Sequence, residues 1–274
     1  MVHPEETWSE GMVAPNIELQ WGPSSARLTL ARPDSLNPLD WPTIREMRVA
    51  LAEIEEKAGI DAVVITGRGR SFSAGGDLEG YLRLYRDPEK FATFLDEFFQ
   101  LLGAIEASNK IYIAAVNGVC VAGGLELLLA CDLAIAATSA RIGDGHLNFG
   151  QLPGAGGSQR LPRAIGLLRA KHLILTGELL SAAEAERIGL VNEVVSDDEL
   201  EAAVERLIAR LAEKSRVGLR GAKHLANLTL TTDLASGLRE EMDFVRRYAT
   251  TEPDATEGLL AFRDKRKPAF RTDL

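Results

Sequence analysis

The sequence predicts an α/β protein in which helices wind around a largely parallel sheet and a helical C-terminal part follows. Three observations carry that prediction. Residues 62–66, Ala-Val-Val-Ile-Thr, form a continuous run rich in β-branched side chains, the mark of a strand buried on both faces. Up to residue 137 such runs alternate with segments of helical period, which favours parallel strands joined through helices. Beyond Gly157 the pattern is helical nearly throughout.

In chain order, residues 1–15 carry no periodicity and are expected to be a loose tail. Residues 17–21 and 26–30 alternate on either side of Gly22-Pro23-Ser24-Ser25, a hairpin signature. Ile44, Met47, Leu51 and Ile54 recur at helical spacing over 43–57, with Gly59 placed to end the helix. The strand at 62–66 leads into a glycine- and serine-rich loop over 67–77. Helical sequence fills 79–105, with a break at Pro88. Apolar runs at 111–116 and 119–122 flank Asn117-Gly118 and precede a helix opening at Gly124 or Leu125; 133–137 reads as another buried strand. Helices are expected over 161–176, 182–188, 198–214, 217–228, 234–249 and 255–265, with one short strand at 191–195.

With 274 residues, 46% hydrophobic and 26% charged, the composition is that of an ordinary soluble protein with a sizeable core. A formal net charge of −9 argues against a nucleic-acid partner, since Lys265-Arg266-Lys267 is the only short basic cluster. The acidic N-terminus lacks the apolar core of a secretory signal. Asn117, Glu126 and Asp132 interrupt the greasiest region, so no membrane span of about 18 apolar residues survives. Cys120 and Cys131 lack metal-ligand spacing and read as buried thiols of a reducing, cytoplasmic compartment. No clustering of His with Cys or acids suggests a metal.

The chain is organised around 111–157. There Gly123-Gly124-Leu125-Glu126 sets a carboxylate among apolar residues, and an unpaired buried carboxylate is costly unless it is partnered, shifted or at work in a cleft. Glycines just ahead of it let backbone N–H groups approach a ligand, and a helix opening there aims the positive end of its dipole at the same place.

Many short pieces in a fixed order carry a resemblance. They are Arg32-Pro33 with Leu36-Asn37, then Ser71-Phe72-Ser73-Ala74-Gly75-Gly76-Asp77-Leu78, Asn117-Gly118 and Gly123-Gly124-Leu125-Glu126-Leu127. Ala130-Cys131-Asp132, Pro153-Gly154-Ala155-Gly156-Gly157-Ser158-Gln159-Arg160, Thr176-Gly177-Glu178, Gly189-Leu190-Val191-Asn192 and Ala261-Phe262-Arg263-Asp264-Lys265 complete the set. From about residue 17 to 270 the chain resembles the crotonase (enoyl-CoA hydratase/isomerase) superfamily. The resemblance implies a spiral of ββα units (16–200), then a helical C-terminal region (201–274) that builds homotrimers, often paired into homohexamers. It implies an acyl-CoA substrate and no cofactor, because the CoA thioester is itself the substrate.

The resemblance assigns the oxyanion-binding N–H groups to Gly76 and Gly123, where fixed donors stabilise the enolate formed beside a thioester. Glu126 matches the first of two catalytic glutamates; as a bland alternative it is a carboxylate satisfied by a helix N-terminus. Ala74, Gly75, Asp77 and Leu78 would border the CoA arm. Phe262 and Lys265, expected one helical turn apart, would reach CoA from a neighbouring subunit, unless they are only a solvated helix end.

One departure stands out. The family's second glutamate follows a proline shortly before the Pro-Gly-Ala-Gly-Gly turn, and counting back from Pro153 puts His146 at that glutamate and Gly145 at the proline. Imidazole can give or take a proton near neutral pH, so a two-group hydratase survives with His146 as the second group. Alternatively the reaction is one that single-carboxylate members run (isomerisation, decarboxylation or C–C cleavage), or the chain is a CoA-ester-binding scaffold and His146 only packs. Asp144 either orients the imidazole or repels anions. Dinucleotide binding is excluded because Phe72 occupies the third glycine position after Gly67-Arg68-Gly69, and no Gly-x-Ser-x-Gly suggests a serine hydrolase. The acyl pocket is expected to involve Trp41, Tyr81, Leu82, Leu84, Phe149 and the helix over 95–102.

Overall fold

The computed structural model describes residues 8–270. Three antiparallel strands, β1 (Ser9–Val13), β2 (Ile17–Trp21) and β3 (Ser25–Leu30), open the chain. The first corrects the expected loose tail for residues 9–13. Its ladder slips between Glu10 and Val13, and that irregularity erases the alternation by which a strand is recognised. Residues 1–7 lie outside the described residues.

Helix α1 (Trp41–Glu56) starts two residues earlier than its apolar pattern, because Asp40 caps it by accepting the Thr43 N–H. Strand β4 (Ala62–Gly67) follows, then β5 (Ser71–Ser73) inside the expected loop, α2 (Leu78–Leu84) and α3 (Pro88–Ala107). Pro88 breaks the helical stretch by opening α3 at its first position, where no N–H is needed. Strands β6 (Ile111–Val116) and β7 (Val119–Val121) lead into α4 (Gly123–Ala130), β8 (Leu133–Ala137) and β9 (Arg141–Gly143).

The helix expected over 161–176 is two helices, α5 (Gly157–Ile165) and α6 (Leu167–Thr176), parted at Gly166 with φ 84°. Then come β10 (Leu180–Ser181), α7 (Ala182–Arg187), β11 (Glu193–Val195), α8 (Leu200–Ala212), α9 (Arg216–Leu228), α10 (Leu234–Thr251) and α11 (Pro253–Arg263).

Seven strands form the main sheet in the order β1-β2-β3-β4-β6-β8-β11, parallel from β3 onward. Its central strands alternate between two cores. Val63, Ile65, Tyr112, Ala114 and Val116 face the larger core with α1, α3 and α4. Ala62, Val64, Ile113, Ala115 and Ile135 face α8. Leu200, Ala203, Val204 and Ile208 of α8 are buried there, at about 1.5–3 kcal/mol for each large side chain. Helix α8 therefore belongs to the core, and the division expected at 200/201 cuts through that layer. Helix α10 buries no residue and exposes Leu234, Leu238, Met242 and Val245. Among the described residues no helix is long and apolar enough to cross a membrane.

Candidate active site

A second sheet, β10-β9-β7-β5, builds the site. Strands β5, β7 and β9 are parallel neighbours, so their C-terminal ends deliver Gly75-Gly76, Ala122-Gly123 and Asp144-Gly145-His146 to one edge. Two asparagines, Asn37 buried and Asn117 half-buried, hold that edge. Asn37 Nδ2 donates to Ser71 O at 2.8 Å and its Oδ1 accepts the Arg32 N–H at 2.9 Å. Asn117 Nδ2 donates to Gly69 O at 2.9 Å while its Oδ1 accepts the Gly67 N–H at 3.1 Å.

Gly75, with φ 92°, backs directly onto α4. A Cβ there would lie 2.8 Å from Ala122 Cβ and 3.1 Å from Gly123 N, so only glycine permits the approach. Ala122 itself holds φ 54° and ψ −118°, a costly conformation for a residue with a Cβ. It turns the chain sharply from β7 into α4, which opens at Gly123, one residue ahead of the expected start. The Gly123 N–H has no intrahelical acceptor in that position.

Glu126, in the first turn of α4, is 2% exposed. Its Oε1 accepts the N–H groups of Ala155 and Gly157, each at 2.8 Å. Arg160 braces that turn by donating from Nη1 to Ala155 O at 2.7 Å while Nε and Nη2 bind Glu106. Burial holds the Glu126 carboxyl above the usual range, opposed by the Gly157 N–H, the His146 ring and the Ala155 N–H. Glu126 Oε2 stands 4.0 Å from His146 Nε2. On the ring's other side Nδ1 lies 3.1 Å from Oδ1 of the fully buried Asp144. That is ion-pair distance, but the ring N–H is off line for a directed hydrogen bond.

These groups border a cavity of about 900 Å³. Ala74, Gly76, Asp77, Leu78, Glu126 and His146 line it, with Tyr81, Tyr85, Phe91, Leu95, Phe98 and Phe149 supplying apolar wall. Of the other walls expected, Trp41 instead packs edge-on against Phe94 and donates from Nε1 to Glu97, and Leu82 faces outward at 57% exposure. Leu84 packs against the large core. The Tyr85 hydroxyl donates to Gln151 Oε1, a contact between α2 and the segment after His146 that residue patterns could not suggest. Phe262 is 86% exposed near the end of α11, away from this cavity. Lys265 lies past that helix end with φ 53°, so the two are not stacked on one helical face as expected. A second cavity of about 560 Å³, between α3, α5 and α9, contains none of the expected catalytic, oxyanion or CoA-binding residues, although Phe99 of the helix expected to wall the acyl pocket lines it.

Among the described residues no group of three or more His, Cys, Asp or Glu could hold a metal ion. Cys120 and Cys131 are free, and burial pushes both thiols up.

Comparison with known proteins places this geometry. A probable enoyl-CoA hydratase of Mycobacterium tuberculosis is 39% identical over 244 residues, covering 89% of this chain and 93% of that protein. A crotonyl-CoA hydratase of Syntrophomonas wolfei is 37% identical over 261 residues, covering 94% and 99%. The solved enoyl-CoA hydratase of Bacillus anthracis superposes with a TM-score of 0.87 at 36% identity, covering 94% of this chain and 99% of that one. The enoyl-CoA hydratase/isomerase family model matches residues 23–273, and on that extent of agreement the chain belongs to this family.

Proposed function

We propose that the protein hydrates a 2-enoyl-CoA to the 3-hydroxyacyl-CoA. The observation that carries the reading is the pair Glu126 Oε2 and His146 Nε2, facing each other across 4.0 Å at the wall of the large cavity. That separation is too long for a direct hydrogen bond, yet one water can sit about 2.8 Å from both atoms. In the proposed reaction the thioester carbonyl oxygen rests on the N–H groups of Gly76 and Gly123. As the water oxygen bonds to Cβ, one group of the pair takes its proton and charge builds on the carbonyl oxygen, where fixed donors stabilise it. The other group then protonates Cα, which completes the addition of water.

Ala74, Gly75, Asp77 and Leu78 sit where the pantetheine arm would pass. The exposure of Phe262 and Lys265 suits contact with CoA held by a neighbouring copy, and the apolar stripe along α10 supports assembly as a homotrimer or homohexamer. No cofactor enters this scheme, and the location is cytoplasmic. A second reading, a double-bond shift, is favoured by the single Glu126 carboxylate, with a histidine where the second glutamate would stand. Crotonyl-CoA incubated with the protein separates the two. Hydration adds the mass of one water, whereas a shifted double bond or recovered substrate contradicts the proposal.

A further inference from the structure

We infer that Asp144 is a positioning residue that keeps the His146 proton on Nδ1, so that Nε2 faces the cavity as the acceptor and takes the proton from water. This rests on His146 and Glu126 acting as the acid–base pair, and it divides their duties.

Asp144 follows directly after β9 and is 0% exposed. Gly145, with φ 65°, then turns the chain left-handed, and the turn brings residue 146 back over the carboxylate. The His146 backbone N–H donates to Asp144 Oδ1 at 3.3 Å, and His146 Nδ1 lies 3.1 Å from the same oxygen. Among the described residues only four buried side-chain polar atoms lack a hydrogen-bond partner, and two of them are Asp144 Oδ2 and His146 Nδ1. Nδ1 already lies 3.1 Å from Oδ1 of that carboxylate, an acceptor-only group when ionised, so a turn of the ring that brings an Nδ1–H into line satisfies the unpaired nitrogen. A carboxylate with no access to water strongly favours the ring proton on its own side.

With Nδ1 protonated, Nε2 holds a lone pair directed towards Glu126 and the cavity. His146 therefore abstracts the proton of the attacking water and becomes the imidazolium, stabilised between Asp144 and Glu126. Burial favours the protonated form of Glu126, which suits it to donate to Cα. Regeneration returns the proton from His146 to Glu126 across the 4.0 Å gap through the next water, so protons balance over the cycle. A mirror assignment, with Nε2 protonated, would leave His146 unable to act as base and would strand the carboxylate of Asp144.

The test is the ring nitrogen spectrum of the full chain labelled with the heavy nitrogen isotope. The chain has four histidines, and the signals lost in His146→Gln identify the residue. In the resting wild type the His146 proton is expected on Nδ1. Asp144→Leu should move it to Nε2 and lower kcat about a hundredfold, with KM changed only a few-fold. Asp144→Asn, which keeps a neutral acceptor, should retain part of both the tautomer and the rate. A wild-type proton on Nε2 would overturn the inference without any variant, as would an unchanged tautomer in folded Asp144→Leu. Near-normal hydration by His146→Gln, with the proton still on Nδ1, would instead overturn the acid–base reading beneath it.

Discussion

Glu126→Gln and Glu126→Ala separate what this residue holds together from what it does chemically. The glutamine amide oxygen can take the place of Oε1 and keep both N–H bonds from Ala155 and Gly157 at 2.8 Å. Only the group facing His146 changes, from a proton carrier to an amide. Turnover of the best acyl-CoA substrate should fall by about a hundredfold to ten-thousandfold while KM stays near its wild-type value. Alanine removes the acceptor itself and leaves two buried N–H donors unsatisfied at about 1–3 kcal/mol each, so it should destabilise the fold by about 2–6 kcal/mol.

The sign of the pH dependence follows from burial. Burial raises the folded-state pKa, so the folded chain keeps the Glu126 proton where the unfolded chain has lost it. The cost of ionising is absent below the unfolded carboxyl value, about 4.3, and complete above the folded one. The stability advantage of Glu126→Gln over wild type should therefore be small in acid and grow as pH rises. Steady-state kinetics and urea unfolding over a pH series measure both effects. A glutamine variant within a few-fold of wild-type turnover would refute the chemical role, and a stability advantage that shrinks with rising pH would refute the electrostatic one.

Lys223 ties α9 to the core, donating to Ile105 O and Lys110 O and pairing with Asp132 at 2.8 Å. Lys223→Met should cost about 3–5 kcal/mol in urea unfolding, with Asp132→Asn in the same chain recovering part of the loss. A Cβ at Gly123 meets only ordinary contacts of 3.5 Å or more, so Gly123→Ala should hold or raise Tm. At Gly76 a Cβ would stand 2.0 Å from the Tyr81 ring, so Gly76→Ala should displace that ring and raise KM for acyl-CoA. Tyr85→Phe removes the contact to Gln151, and competition between acyl-CoA esters should show longer chains gaining roughly two- to twelvefold in relative kcat/KM, the equivalent of one neutral hydrogen bond.

The long elements were legible because their signals are local. Apolar spacing over 43–57 and the uninterrupted run at 62–66 need no partner to be read, and both appear within a few residues of their expected bounds. Strands β5, β9 and β10 span three, three and two residues, too short for any period. These strands nonetheless make the small sheet that gathers the site, since their meaning lies in pairings across 22 to 48 residues. Within the site, Glu126 announced itself as a carboxylate in an apolar run, and the glycine pairs ahead of it marked the close approach. The N–H groups that receive its carboxylate did not, although the glycine-rich turn at 153–157, followed by Arg160, was the available signal. The burial of Asp144 was equally hidden, because an aspartate between two glycines reads as an exposed turn.

The central claim is that this cavity adds water across the double bond of an enoyl-CoA through Glu126 and His146. Its most direct test is one incubation of crotonyl-CoA in water enriched in the heavy oxygen isotope, followed by mass spectrometry of the product and its fragments. Wild type should yield 3-hydroxyacyl-CoA with the heavy oxygen on C3, and under the same conditions Glu126→Gln and His146→Ala should each form it at least about a hundredfold more slowly. A product without the isotope, a double bond moved and no water added, or unchanged labelling by both variants would contradict it.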